Sequence, residues 1–233
     1  MRKAMRFVMV LLVLIALGTV ISANSVRADD VQIGQGLAAR MWYGNCKDDD
    51  DSYGHDSLYF LYYDLSLDCW LITAMVGYAK GWDLDMGRTD FQLGLGRAIG
   101  PFVLGLASHY VGENYDRAGY AVSFDYYGPE LVLGGSLPFG DTGFSASASV
   151  TVLPYVFLRY GAREEDVADG RNYSGSGHTW GWSGDAALHY AVKMFHLSTG
   201  YRWQEFDATD FDDGSKFLGD IVRGPYAEVR LTW

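Results

Sequence analysis

The sequence predicts an all-β fold, an antiparallel barrel of about ten strands with eight as the fallback count. Three observations carry that prediction: apolar residues alternate with period two, the composition favours strand formers, and short connections alternate with long ones. The clearest alternation runs from Thr179 to Val192, where Trp180, Trp182, Ala186, Leu188, Tyr190 and Val192 oppose Thr179, Ser183, Asp185 and His189. The next segment repeats it with Phe195, Leu197, Thr199, Tyr201 and Trp203, and the last with Pro225, Ala227, Val229, Leu231 and Trp233. Further segments of the same kind are Leu37 to Tyr43, Tyr59 to Leu67, Trp70 to Tyr78, Thr89 to Ile99, Phe102 to Tyr110, Tyr127 to Leu137 and Gly143 to Tyr160. The 17 Tyr, 12 Phe and 7 Trp suit pleated surfaces, and only 5 Pro interrupt them.

The segment ahead of these strands reads as an address. Arg2, Lys3 and Arg6 precede an apolar run from Phe7 to Val20, and Val26-Arg27-Ala28 offers a cleavage site, so residues 1–28 are expected to be a cleavable signal peptide and 29–233 the barrel domain. Cleavage would reduce the 18 basic residues to 14 against 29 acidic ones. That acidity argues against nucleic acid as a partner, because phosphates need a basic footprint. Cys46 and Cys69 are too few for a disulfide framework, and a strand between them predicts free thiols.

Apolar parity switches across Leu67/Trp70, Ile99/Phe102, Leu137/Phe144 and Val192/Phe195, which predicts four tight turns. Leu67-Asp68 is the poorest of these by composition, and a bulge is expected at Tyr126-Tyr127-Gly128, where the parity slips. The other connections, Asn45 to Asp56, Ala79 to Arg88, Val111 to Gly119, Gly161 to His178 and Gln204 to Asp220, read as long acidic loops. Tight turns on one side and larger loops on the other are the pattern of barrels that cross a membrane.

Alternation alone does not say whether the apolar face is inside or outside. The lysines Lys47, Lys80, Lys193 and Lys216 all fall in loops or turns, and the polar face is rich in Gly, Ala and Ser, as a narrow lumen requires. Aromatics sit at both ends of the apolar face. Tyr43, Tyr59, Tyr78, Tyr110, Tyr160, Trp180 and Trp203 lie toward the long loops, and Trp70, Phe102, Phe144, Tyr190 and Trp233 toward the short turns. Two girdles around an aliphatic band place that face in lipid.

With these features the mature region resembles bacterial outer-membrane β-barrel proteins over its whole length, most specifically in its end, Tyr226-Ala227-Glu228-Val229-Arg230-Leu231-Thr232-Trp233. The resemblance implies an outer-membrane location, contact with membrane lipid and lipopolysaccharide, and recognition by the assembly machinery through the strand that ends in Trp233, where the family more often has Phe. It implies no activity, because many functions sit on such barrels.

Inside the barrel, Arg40, Asp90, His109, Glu130 and Arg202 are the candidate ligand-binding residues of the lumen. His109 is expected near the external end of its strand with Asp90 at similar height next door, and Ser123 and Asp125 across the following loop. This set reads as a hydrogen-bond network that fills a small barrel, so no catalytic residue is assigned. No metal or cofactor is assigned either. The Asp207 to Asp220 loop fails the EF-hand pattern, because aligning Gly214 puts Thr209 and Phe211 at ligand positions, and Asp48 to Asp51 read as a solvated run. The expected role is a non-catalytic structural or surface-interaction protein with a small polar lumen and a small-ligand site at its external mouth. A narrow passive pore and a lipid-modifying or proteolytic enzyme are the alternatives.

Overall fold

The computed structural model describes residues 33–47, 52–80, 86–117, 120–164 and 172–233. The expected signal peptide and the Asp48 to Asp51 run lie outside the described residues. Ten strands form a closed antiparallel barrel. They are β1 (Ile33–Lys47), β2 (Ser52–Leu67), β3 (Trp70–Lys80), β4 (Met86–Ile99), β5 (Phe102–Arg117), β6 (Tyr120–Pro138), β7 (Phe144–Glu164), β8 (Asn172–Val192), β9 (Phe195–Phe206) and β12 (Asp220–Thr232). Between the last two, β10 (Thr209–Asp210) pairs with β11 (Lys216–Phe217) in a small separate hairpin. Closure is made by β1, whose Gly36 to Lys47 pair with Thr232 to Ile221 of β12 while its other edge pairs with β2.

The four tight turns fall where the parity predicts. Asp68-Cys69, Gly100-Pro101 and Lys193-Met194 are two-residue turns, and the first residue of each has positive φ: 53° at Asp68, 59° at Gly100 and 55° at Lys193. Asp is among the residues that tolerate this conformation, which is why a turn poor in glycine still closes at Leu67. Across the Lys193-Met194 turn His189 faces Ser198 and His196 faces Ala191, so the two histidines do not oppose each other.

Apolar residues point outward between the two girdles. Leu95, Leu104, Leu106, Leu131, Leu133, Leu188, Leu197 and Val229 are all exposed. Trp70, Phe102, Phe144, Tyr190 and Trp233 are exposed at the short-turn end, and Tyr43, Tyr59, Tyr78, Tyr110, Trp180 and the half-buried Trp203 lie toward the other. An apolar wall of this extent needs an apolar surrounding, and between two aromatic girdles that surrounding is lipid. From Trp70 to Tyr78 is about nine residues, the length of one tilted membrane crossing.

The strands do not stop at the outer girdle, which corrects the expectation of long loops. β7 and β8 have 21 residues each, about twice what a crossing needs. The segments expected as the loops Val111 to Gly119 and Gly161 to His178 are mostly extensions of β5 to β8 beyond the lipid.

The bulge lies across the strand pair from its expected place. Pairing with both neighbours slips in β7, between Leu153 and Val156, so Pro154 and Tyr155 together oppose Trp180. Proline belongs there because the bulged residue has no ladder bond to donate. Gly128 sits against it, and a Cβ at that position would lie 2.3 Å from the Tyr155 carbonyl oxygen. Beyond the bulge the parity of β7 inverts. Tyr155 points outward where Tyr160 was expected, and Tyr160 instead packs against Phe124 and Phe211.

Backbone pairing sets Cys46 opposite Gly54, at the far end of β2 from Cys69. That separation is on the order of 40 Å at ~3.3 Å per residue, against about 4.4–6.8 Å between the Cα atoms of a disulfide. Cys69 is a free thiol. On intact cells an impermeant maleimide is therefore expected to label Cys46 and spare Cys69, and mass spectrometry of the native protein should find two thiols. A Cys46–Cys69 disulfide would refute the β2–β3 hairpin.

Candidate functional site

Because outward positions face lipid, charged residues that fall between the girdles turn inward, and the lumen collects them. On β1, β2, β8 and β12, Arg40 Nη2 lies 2.8 Å from Glu228 Oε2, and its Nη1 lies 3.3 Å from Asp185 Oδ2. Arg230 Nη1 lies 2.5 Å from Asp64 Oδ2, and its Nη2 lies 3.3 Å from Glu228 Oε1. Glu228 thus bridges two arginines, and the ions form one chain rather than separate pairs. The guanidinium of Arg40 also stacks over Tyr226, 4.1 Å from the ring centre, and over Tyr62 at 4.9 Å.

A second group sits toward the external end. His109 Nδ1 lies 2.8 Å from Glu130 Oε1 and its Nε2 lies 3.4 Å from Asp90 Oδ1. Gln92 Nε2 donates to the other Glu130 oxygen. Arg88, which sequence reasoning missed because it fell in an expected loop, binds Asp90 through two nitrogens (2.9 and 3.0 Å), Glu113 Oε1 (3.1 Å) and Gln204 Oε1 (3.1 Å). Arg88, Asp90 and Glu113 are each almost wholly buried.

Of the five residues expected to line a site, the structure therefore brings Asp90, His109 and Glu130 together and places Arg40 in the separate ionic chain. Arg202 lies near Trp42 and Phe60, 5.3 and 6.0 Å from their ring centres. Ser123 and Asp125 join none of these. Ser123 donates to the Gly161 carbonyl, and Asp125 accepts from Tyr110 at the outer girdle.

Above the Arg88 layer the interior changes character. Val111, Tyr126, Leu153, Val156, Leu158 and Phe206 turn inward and form an apolar cluster with Phe211 and Phe217, which the β10–β11 hairpin carries into the mouth. The expectation of a small, polar inner face thus fails above the lipid, where no membrane constrains which face is apolar. Tyr126 stacks on Phe206 at 4.9 Å, and Phe217 meets the edge of Tyr126 at 5.8 Å.

Aspartates staple the hairpin to the barrel. Asp212 accepts from the Ser176 backbone N–H and hydroxyl, both at 2.8 Å, while Asp213 accepts from the Tyr160 hydroxyl and from Ser215. These donors lower both carboxyl pKa values: at Asp212 the Ser176 backbone N–H and hydroxyl, at Asp213 the Ser215 hydroxyl first and the Tyr160 hydroxyl next. Asp207 likewise accepts from the Trp180 indole, so three of the loop's carboxylates hold it to the barrel or to itself by hydrogen bonds.

On the opposite wall, β3 to β7 present Gly94, Gly96, Gly105, Ala107, Ser149 and Thr151 inward and leave a cavity of about 210 Å³. It reaches from Gln92, Arg40 and Arg202 down to Leu71 and Val103 near the short turns.

Two outcomes follow. Arg88→Met takes the guanidinium away from the buried carboxylates of Asp90 and Glu113, so unfolding in detergent should show a loss of about 3–5 kcal/mol, much of it recovered on adding Asp90→Asn and Glu113→Gln. For the hairpin, folded-state pKa values below the unfolded ones mean that its docking is favoured above the ordinary carboxylate range and weakens as pH falls through it. Pepsin cleavage within residues 207–219 should therefore rise steeply below about pH 4 while the membrane-embedded strands stay intact.

Comparison with known family profiles and with curated protein sequences returns no match. Among solved structures, Neisserial surface protein A is similar at 9% identity, covering 87% of this chain and 98% of that one, with a TM-score of 0.44. The translocator domain of the autotransporter NalP from Neisseria meningitidis has 8% identity, 91% of each chain and a TM-score of 0.43. OprG of Pseudomonas aeruginosa has 11% identity, 87% and 95% coverage and a TM-score of 0.31. At this level the likenesses bear on no residue of the lumen. The chain's own geometry, a closed antiparallel barrel with an aliphatic wall between two aromatic girdles, is that of a β-barrel that spans a membrane with its strands.

Proposed function

We propose that this protein is a plugged, non-catalytic surface barrel: a membrane-anchored scaffold that presents its strand extensions and the β10–β11 hairpin to the exterior. One observation supports this reading above the rest. The external half of the lumen is filled by the buried Arg88–Asp90–Glu113–Gln204 network and, above it, by the cluster around Phe211 and Phe217. A water-filled path would have to break both. In this reading the mouth is an interaction surface rather than an entrance, lipopolysaccharide borders the outer girdle, and the strand ending in Trp233 is the segment that the assembly machinery reads.

Planar-bilayer recording separates this reading from the passive pore. The intact protein is expected to give no steady conductance, and a variant with residues 208–218 replaced by a short linker and Arg88→Ala should show open events. Steady ohmic channels from the intact protein would establish the pore instead.

A further inference from the structure

Most lumenal charges are committed. Arg40 holds Asp185 and Glu228, Arg230 holds Asp64 and Glu228, and the Glu130 oxygens are taken by His109 and Gln92. Arg202 differs: it forms no ion pair among the described residues, and its buried Nε has no hydrogen-bond partner there. The hydroxyl of Tyr62 is likewise buried and unpartnered among the described residues. A third such atom, His109 Nε2, lies 3.4 Å from Asp90 Oδ1, and because buried polar groups are nearly always satisfied, the other two call for an explanation. Both residues line the same cavity of about 210 Å³.

The rest of the lining states what would satisfy them. Gln92, Thr73, Ser149, Thr151 and Ser183 offer further polar groups, and Asp185 also lines the cavity with its carboxylate held by Arg40, whereas Leu71, Val103, Ala107 and Val132 make the remainder apolar. A guanidinium and a phenol together recognise an anion, most strongly a planar carboxylate that accepts charge-assisted bonds. The space is adequate for a small organic acid, given that an engineered apolar cavity of about 150 Å³ holds benzene. We infer that the lower lumen is a binding site for a small amphipathic carboxylate, its head on Arg202 Nε and the Tyr62 hydroxyl and its apolar part against Val103, Ala107 and Val132.

Entry would come from the short-turn end, because the inward-facing Ala98 and Ser136 there are exposed to solvent, whereas the external end is filled. This site is distinct from the external mouth and does not require the plug, so a conducting barrel could also hold it.

The test uses benzoate as the probe, with benzyl alcohol and benzylamine as neutral and cationic analogues, titrated by NMR into the folded barrel in detergent. Benzoate should bind saturably, perturbing the signals of β3 to β6, and about tenfold or more tighter than either analogue. Arg202→Gln should abolish the preference for the anion, and Tyr62→Phe should weaken benzoate several-fold. If Arg202→Gln does not give the folded band on a gel, Ala107→Leu decides, since it fills the apolar end without touching a charge and should exclude benzoate. Absence of saturable benzoate binding, equal binding of the three probes, or unchanged affinity in Ala107→Leu would overturn the inference, the last two marking partition into the micelle.

Discussion

The rest of the structure depends on the closure of β1 against β12. In hydrocarbon an unpaired backbone group costs several kcal/mol, so a sheet that crosses lipid has no tolerable edge. The seam supplies pairing from Gly36↔Thr232 to Trp42↔Tyr226 and again from Asn45↔Arg223 to Lys47↔Ile221, with a break at Tyr43 and Gly44. It is also reinforced from inside, where Trp42 Nε1 donates to the Gly224 carbonyl at 3.1 Å. Gly224 makes this close approach possible, as a Cβ there would lie 1.8 Å from the Tyr43 carbonyl oxygen. Ten strands then fix a lumen barely wider than the side chains that fill it.

That narrow lumen explains why the interior charges take the form they do. Buried ion pairs contribute little net stability, and a well-packed apolar interior would hold the barrel at least as firmly. An apolar interior would, however, leave the two faces of each strand alike, and a one-residue slip would then cost little. With Arg40, Asp64, Asp185, Glu228 and Arg230 inside, a slip sends charges into lipid, which costs about 2–4 kcal/mol for each basic residue near the bilayer midplane. The ionic chain on β1, β2, β8 and β12 works as a register device at the seam and its flanks. β4 and β5 carry Leu93, Leu95, Leu104 and Leu106 outward, and opposite them on the inner face Gly94, Gly96, Gly105 and Ala107 stand below Asp90 and His109.

Wherever lipid dictated which face was apolar, the sequence could be read. The ten strands, the four tight turns, the closed sheet and most of both girdles followed from parity, because in that zone each residue has only two environments to choose between. The charged inward positions Arg40, Asp90, His109, Glu130 and Arg202 were visible for the same reason. Partnerships were not. Arg88 was hidden in an assumed loop, Glu228 proved to be shared by two arginines, and the orphan donors of Arg202 and Tyr62 depend on side-chain paths that no spacing encodes. The largest misreading came beyond the outer girdle. Water surrounds the barrel there, so apolar residues turn inward, and the same alternation carries the opposite meaning. Tyr126 therefore looked like a slip in the pattern when, with Phe124 and Leu158, it lines an enclosed mouth.

The bulge in β7 shows how one strand serves both regimes. Below it, Val150 and Val152 face lipid; at Pro154-Tyr155 one extra residue is inserted, and the next outward positions are Tyr155 and Phe157. Without that insertion Val156, Leu158 and Tyr160 would point outward above the girdle, exposing two aliphatic side chains to water. Tyr160 would also leave its contacts with Phe211 and Asp213. The insertion turns all three inward, so that β7 lines the mouth and holds the hairpin that fills it. Gly128 on β6 is the complement of that choice, since only a residue without a side chain admits the bulged Tyr155 carbonyl. The irregularity that breaks the sheet's pairing is thus what joins the lipid-spanning half of the barrel to its external cap.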